Sequence, residues 1–353
     1  MYAVIMAGGG GTRLHPLSRP ERPKPFLPVL PSGETLLQAT ARRLPTNDIT
    51  VVTERRYERF VREQLPDATV LLEPMGRNTA AAIAFATISI DRADDDVMLV
   101  VPADAYITPE SESQYTSVLA DAEPLARDAF EIDEPLVTFG IRTSRPATQY
   151  GYLIPKLETK RDVDGLVAYQ LDRFVEKPTI EQAEMLLKQE PGVAWNAGIF
   201  LWRRRSITSA LGRFTGLLQT LKPMVGAPML LEAAYEAIQQ PKSIDHAVME
   251  GAAKTGRVVM GAMDVGWSDL GSWTALLSAI GARGDGSVVQ AGETVEVADD
   301  DLIVRRVDGR LGVIAPFERG SMTATQPIAV LRGTAPDIDR VRDLIERCAA
   351  TGG

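Results

Sequence analysis

One cysteine, Cys348, and two histidines, His15 and His246, are all the thiol and imidazole groups of this 353-residue chain. An internal disulfide is excluded, and a Cys/His zinc site cannot be assembled. Any metal would have to be a hard cation held by carboxylates. Basic charge is also in deficit, with 38 Lys and Arg against 47 Asp and Glu and a net charge of -9. Coating a nucleic-acid backbone needs a basic face, so nucleic acid is not an expected partner, whereas a local basic patch could still meet a small anion. Long apolar runs are missing too. The longest nearly apolar stretch, 80–90, is far short of the roughly 20 residues needed to cross a bilayer, so no membrane partner is expected. The apolar run 2–7 has neither the basic start nor the length of a signal peptide, which makes the cytoplasm the expected location.

What the chain does have is an ordinary globular composition, 45% apolar and 24% charged, with enough length for one large domain or two. Short apolar runs alternate with segments of helical period, the pattern of an α/β fold with a largely parallel sheet. Strands are expected at 2–7, 49–53, 69–73 and 97–101, with helices at 35–44, 54–65 and 78–90 between them. Asn78 suits the N-cap of the third helix, and Thr179 with Gln182 resembles a capping box. Further strands are expected at 151–156, 168–176 and 196–202, followed by helices to about 250. The polar, glycine-containing stretch 281–287 reads as a linker. Beyond it, β-like pieces at 287–290, 302–307, 311–314 and 328–331 and a helix at 338–349 suggest a small appended domain. The expected division is therefore 1–280 and 287–353.

Gly8, Gly9, Gly10 and Gly11 follow the first strand, where open α/β sheets bind ligands. Glycines permit positive φ and close approach of backbone N–H groups to phosphate oxygens, though a plain tight turn would look the same. The spacing is not that of a dinucleotide fingerprint, because Arg13 stands where the last glycine should be; nor is it a P-loop, since the chain has no Gly-Lys pair. Arg13 and Lys24 instead supply two cations beside the cradle, a fork and a point charge able to offset a triphosphate.

From Gly8 through Arg19, and again over Pro23-Lys24-Pro25-Phe26-Leu27, the chain resembles the sugar-1-phosphate nucleotidyltransferase family, and within it the mannose-1-phosphate guanylyltransferases (GDP-mannose pyrophosphorylases). The likeness continues in order through Glu73 to Ala80, Val101 to Asp104, Tyr150-Gly151-Tyr152, Phe174 to Pro178, Trp195 to Gly198, Ser243-Ile244-Asp245 and Trp267 to Trp273. It implies a Rossmann-like nucleotidyltransferase domain with a mixed, mostly parallel sheet, followed by a small β-rich C-terminal domain.

The resemblance implies transfer of GMP from GTP to mannose 1-phosphate, with Arg13, Lys24, Asp104 and Asp269 catalytic. Asp104 and Asp269 match magnesium-binding aspartates; taken singly, each could be an ordinary loop carboxylate. An anionic sugar phosphate needs no general base and no covalent intermediate, so catalysis would be positioning and charge stabilisation. The nucleotide would be held by Gly8, Gly9, Gly11, Thr12, Arg13, Arg77, Asn78 and Thr79. Glu73 can accept from the N1–H and amino group of guanine at once. On the sugar side the resemblance assigns Gly151, Glu176, Lys177 and Asn196. Trp195, Trp202, Trp267 and Trp273 could stack on a sugar or be core. Two departures, Ala105 and His246, stand where many relatives carry histidine and tyrosine. The C-terminal portion is too short for the isomerase domain of bifunctional relatives, which implies monofunctionality, and its β-like pieces could form a cap or a homodimer contact. Use of another nucleotide or sugar phosphate, and a non-catalytic sensor of GDP-mannose, are the alternative readings.

Overall fold

The structure, a computed structural model, describes residues 1–9, 12–224, 227–299, 301–307, 310–314, 319–332 and 337–350. Ten strands form one sheet. They are β1 (Tyr2–Met6), β2 (Ile49–Glu54), β3 (Thr69–Glu73), β4 (Val97–Pro102), β5 (Leu136–Arg142), β6 (Tyr152–Pro155), β7 (Arg161–Val163), β8 (Leu166–Val175), β9 (Ala194–Arg203) and β10 (Val258–Met263). The order is β3-β2-β1-β4-β9-β5-β10-β8-β6, with β7 beside β8. Only β8 and β9 run against the other strands, so the sheet is mixed and mostly parallel, as expected.

Alternation along β1 explains its place near the centre. Ala3 and Ile5 point into one buried cluster, and Tyr2 and Val4 into the one on the opposite face. Because both faces are covered, the strand reads as an unbroken apolar run. Cutting Ile5 back to alanine in such a core would cost about 2–5 kcal/mol. Parallel β1, β2, β3 and β4 end together at Met6, Glu54, Glu73 and Pro102, which brings four carboxyl ends to one edge of the sheet. There the chain leaving β1 is pinned: Ala7 donates its N–H to the Val52 carbonyl at 2.8 Å and accepts from the Thr53 hydroxyl at 2.8 Å.

The expected helices form with shifted ends. Thr35 caps Leu36–Arg42 in a reciprocal box with Gln38, and Thr179 caps Ile180–Gln189 with Gln182 in the same way. Residues 55–57 make a 3₁₀ turn, so the second helix begins only at Glu58. Asn78 is not an N-cap. It is the first residue of Asn78–Ser89, in the left-handed region at φ 64°, and its side-chain oxygen accepts from the adjacent Thr79 N–H at 2.8 Å. Asparagine tolerates that conformation because its short polar side chain can bond locally.

After the large sheet, β11 (Asp285–Val289), β12 (Thr294–Val297), β13 (Leu302–Val307), β14 (Arg310–Ile314), β15 (Gly320–Thr323) and β16 (Ile328–Arg332) build a four-stranded antiparallel sheet, β11-β16-β13-β14, and a β12-β15 pair. The helix Ile338–Ala350 follows. β11 starts inside the stretch read as a linker, so residues 285–287 are strand. Leu302, Val304, Val341 and Leu344 share one buried cluster with Leu14, Leu17 and Trp273, so the segment carrying Arg13 is anchored against the C-terminal strands. Among the described residues no helix is long and apolar enough to cross a membrane.

Candidate active site

Lys24 stands at the junction of the two aspartates. It opens the short turn Lys24–Phe26, which is seated by Phe26 stacking on Phe60 with ring centroids 5.2 Å apart. The Lys24 side chain is only 6% exposed, and its Nζ lies 2.8 Å from Asp104 Oδ2. The same ammonium donates to the main-chain carbonyl of Asp269. Asp104 and Asp269, far apart in the chain, therefore meet at one cation. Arg13 approaches the Asp269 carboxylate, with Nη1 3.6 Å from Oδ2 and a side chain 64% exposed. Asp269 Oδ1 is oriented by two donors, the Tyr150 hydroxyl at 2.9 Å and the Gly271 N–H at 3.1 Å. A Cβ on Gly271 would collide with Asp269 Oδ2 and lie 3.0 Å from Arg13 Nη1, so the pair needs glycine there.

Beside this cluster a cleft of about 500 Å³ opens along the carboxyl ends of the parallel strands, lined by Gly8, Gly9, Glu73, Arg77, Asn78, Thr79 and Asp104 among others. Gly9 has φ 101°, a conformation that strongly favours glycine. Glu73 is 4% exposed; burial pushes its carboxyl up to about 7, with Glu54 adding to the rise and a hydrogen bond from Tyr235 opposing it. Its Oε2 faces Gly8, where a Cβ would stand 3.6 Å away. Arg77 donates Nε to the Tyr235 carbonyl at 3.0 Å, and the Thr79 hydroxyl accepts from the Ile244 N–H at 2.8 Å. Gly10 and Gly11 lie outside the described residues, and Thr12 opens the short turn Thr12–Leu14.

The remaining candidates form a second group. Gly151 packs so closely on Glu176 that a Cβ would stand 2.6 Å from its Oε2. The Gly151 carbonyl accepts the Asn196 N–H at 2.8 Å. Asn196 spans two side chains, taking the Thr138 hydroxyl on Oδ1 at 2.7 Å and donating Nδ2 to Asp245 Oδ1 at 2.9 Å. The Glu176 side chain is only 6% exposed, and exposed Lys177 pairs with its Oε1 at 2.7 Å. Tyr150, adjacent to Gly151, joins this group to Asp269.

The nucleotidyl transferase family matches residues 2–284. The chain belongs to the nucleotidyl transferase family. Its relatives include the mannose-1-phosphate guanylyltransferase of Escherichia coli strain K12, 31% identical over 100% of this chain and 74% of that protein. The mannose-1-phosphate guanylyltransferase of Salmonella typhimurium strain LT2 is 32% identical over 100% of this chain and 74% of its own length. Among solved structures, the chain resembles a mannose-1-phosphate geranyltransferase from Thermus thermophilus, with a TM-score of 0.67, 33% identity and 80% coverage of each chain.

Three side chains of this nucleotidyl transferase escaped assignment from sequence. Tyr150 wedges between Trp195 and Trp267, with centroids 5.1 and 5.4 Å away, and burial beside Asp269 pushes its phenol up to about 12. Asp245 is raised to about 6, first by burial and then by the neighbouring Glu176 charge. Tyr235 donates its hydroxyl to Glu73 Oε1 at 3.1 Å. Tyr150 and Asp245 stand within motif segments, which was a usable signal; Tyr235 carries none. Trp195, Trp202 and Trp273 are buried core, and Trp267 packs on the core edge. Of the two departures, Ala105 is buried, whereas His246 is exposed beside Glu250 at 3.0 Å.

Proposed function

We propose that this nucleotidyl transferase moves GMP from GTP to mannose 1-phosphate, releasing pyrophosphate. The observation that carries the reading is the Lys24 junction: one ammonium takes the Asp104 carboxylate and the main-chain carbonyl of Asp269, whose own carboxylate faces Arg13. The cleft at Glu73 and the group around Gly151 and Glu176 both adjoin that junction. A sugar-phosphate oxygen attacks the α-phosphorus of GTP in line and forms the new P–O bond as the bond to the β-phosphate oxygen breaks. The nucleophile is already an anion, so no proton has to be removed and no enzyme adduct forms.

Arg13 and Lys24 offset negative charge on the triphosphate, while the backbone of Gly8 and Gly9 cradles it. Glu73 accepts from the guanine edge, and Arg77, Asn78 and Thr79 close the cleft. Glu176 and Asn196 bond sugar hydroxyls, Lys177 pairs with the sugar phosphate, and Gly151 lets the backbone approach. Asp104 and Asp269 are the residues that would hold a magnesium ion, which needs few protein carboxylates because it keeps waters and takes phosphate oxygens. When bound there, it would supply Lewis-acid compensation of phosphate charge.

Pyrophosphate release, measured across GTP, ATP and UTP with mannose 1-phosphate or glucose 1-phosphate, with and without magnesium, tests the reading. Fastest magnesium-dependent release with GTP and mannose 1-phosphate is expected. Faster release with UTP or glucose 1-phosphate would overturn the substrate assignment.

A further inference from the structure

Tyr235 grips the proposed base cleft by two of its groups at once. It lies in the helix Leu231–Glu236 and is fully buried, with its ring edge-on to Phe85 at 5.9 Å. The hydroxyl donates to Glu73 Oε1 at 3.1 Å. The carbonyl of the same residue accepts Arg77 Nε at 3.0 Å. Glu73 ends β3 and Arg77 precedes the helix Asn78–Ser89, and both line the cleft. One residue from a distant helix thus ties together two walls of the cleft.

We propose that Tyr235 is the positioning residue for base recognition, orienting the Glu73 carboxylate and holding it in its accepting form; this rests on Glu73 being the guanine acceptor. A carboxylate can accept about four hydrogen bonds, so one from Tyr235 on Oε1 fixes the plane and leaves Oε2, which faces Gly8, free for a ligand. Guanine offers two N–H donors side by side, and only an ionised carboxyl accepts both. Burial works against ionisation, as does Glu54 on β2, although Glu54 is itself paired with Arg56 at 3.0 Å. The phenol hydrogen bond is the opposing influence: a donor to the charged form favours it. Without that hydroxyl, Glu73 would stay protonated to higher pH, and a protonated carboxyl presents a donor to guanine donors.

Tyr235→Phe removes the hydroxyl while the carbonyl that holds Arg77 remains. kcat/KM for GTP, measured from pH 6 to 9 alongside wild type, should show its rise displaced upward by about one pH unit. KM for GTP near neutral pH should increase by roughly three- to tenfold, with kcat changed less than about twofold. Preference for GTP over inosine triphosphate, which lacks the amino group, should shrink. Phe85→Leu, which disturbs the same ring without touching Glu73, should leave the pH profile in place; an equal displacement in that variant would reduce Tyr235 to packing and overturn the proposal. Glu73→Gln separates the two levels. If it abolishes the preference for GTP while Tyr235→Phe leaves profile and preference unchanged, the base reading stands and the role of Tyr235 is refuted. If Glu73→Gln leaves the preference intact, both fall.

Discussion

Tyr106 and Ser268 exchange two main-chain hydrogen bonds, 2.8 and 2.9 Å long. This isolated antiparallel bridge follows Asp104 after one intervening residue and immediately precedes Asp269, so the loops carrying both aspartates are fastened by backbone, independent of their charge. Neutralising either aspartate should therefore spare the fold. Asp104→Asn keeps an acceptor for Lys24, and Asp269→Asn keeps one for Gly271. Each variant should lose about a hundredfold or more in kcat, the scale of a lost electrostatic stabiliser, with a melting temperature within a few degrees of wild type. Near-normal magnesium-dependent pyrophosphate release from either one would refute its assignment.

Gly271→Ala tests geometry without removing a charge. The new methyl would run into Asp269 Oδ2 and crowd Arg13 Nη1, forcing the carboxylate off its Tyr150 and Gly271 donors. A displacement on the order of 1 Å can cost about a hundredfold in rate. The expected signature is a fall in kcat with KM for both substrates changed little. Unchanged kcat would mean that the Asp269 position does not govern the chemistry.

The half of the sheet nearest the cleft was legible because β1 and β4 are buried on both faces and spell continuous apolar runs, and β2 and β3 beside them keep short apolar centres. The centre of the other half was not: β5 and β10 escaped notice although they pair with each other in the middle of the sheet. Each contains a glycine, Gly140 or Gly261, which reads as a breaker. In fact a Cβ on Gly140 would stand 2.7 Å from both Ala194 and Met260, so close packing demands the glycine. Site residues sitting in motifs could be named in advance, but the bonds that orient them could not. Tyr235 reaches Glu73 across 162 positions and Tyr150 reaches Asp269 across 119, distances over which no local pattern carries information.

Burial of two carboxyls predicts a pH dependence of stability. Glu73 is raised from 4.5 to about 7 and Asp245 from 3.8 to about 6. Between those values the folded protein holds more protons than the unfolded chain, so stability is greatest below the unfolded pKa values and is lost as pH rises through about 6 to 7. Each group contributes on the order of 3 kcal/mol to this slope. Urea unfolding of wild type, Glu73→Gln and Asp245→Asn from pH 5 to 8 should show a flatter slope in each variant. Three parallel curves would sink the expectation.

Gly151→Ala separates the two substrates. A methyl there would lie 2.6 Å from Glu176 Oε2 and 2.9 Å from Phe174 Cζ, so both side chains would have to shift. Overpacking of this kind costs about 1–3 kcal/mol of stability. The larger consequence follows from which atom has to move: Glu176 is the partner of Lys177, and both belong to the proposed sugar-phosphate pocket, whereas Glu73 lines a cleft with Gly8, Gly9 and Asp104. KM for mannose 1-phosphate should therefore rise about tenfold or more while KM for GTP holds. Steady-state kinetics with each substrate varied in turn decides it, and an equal rise in both constants would show that the two pockets are not independent.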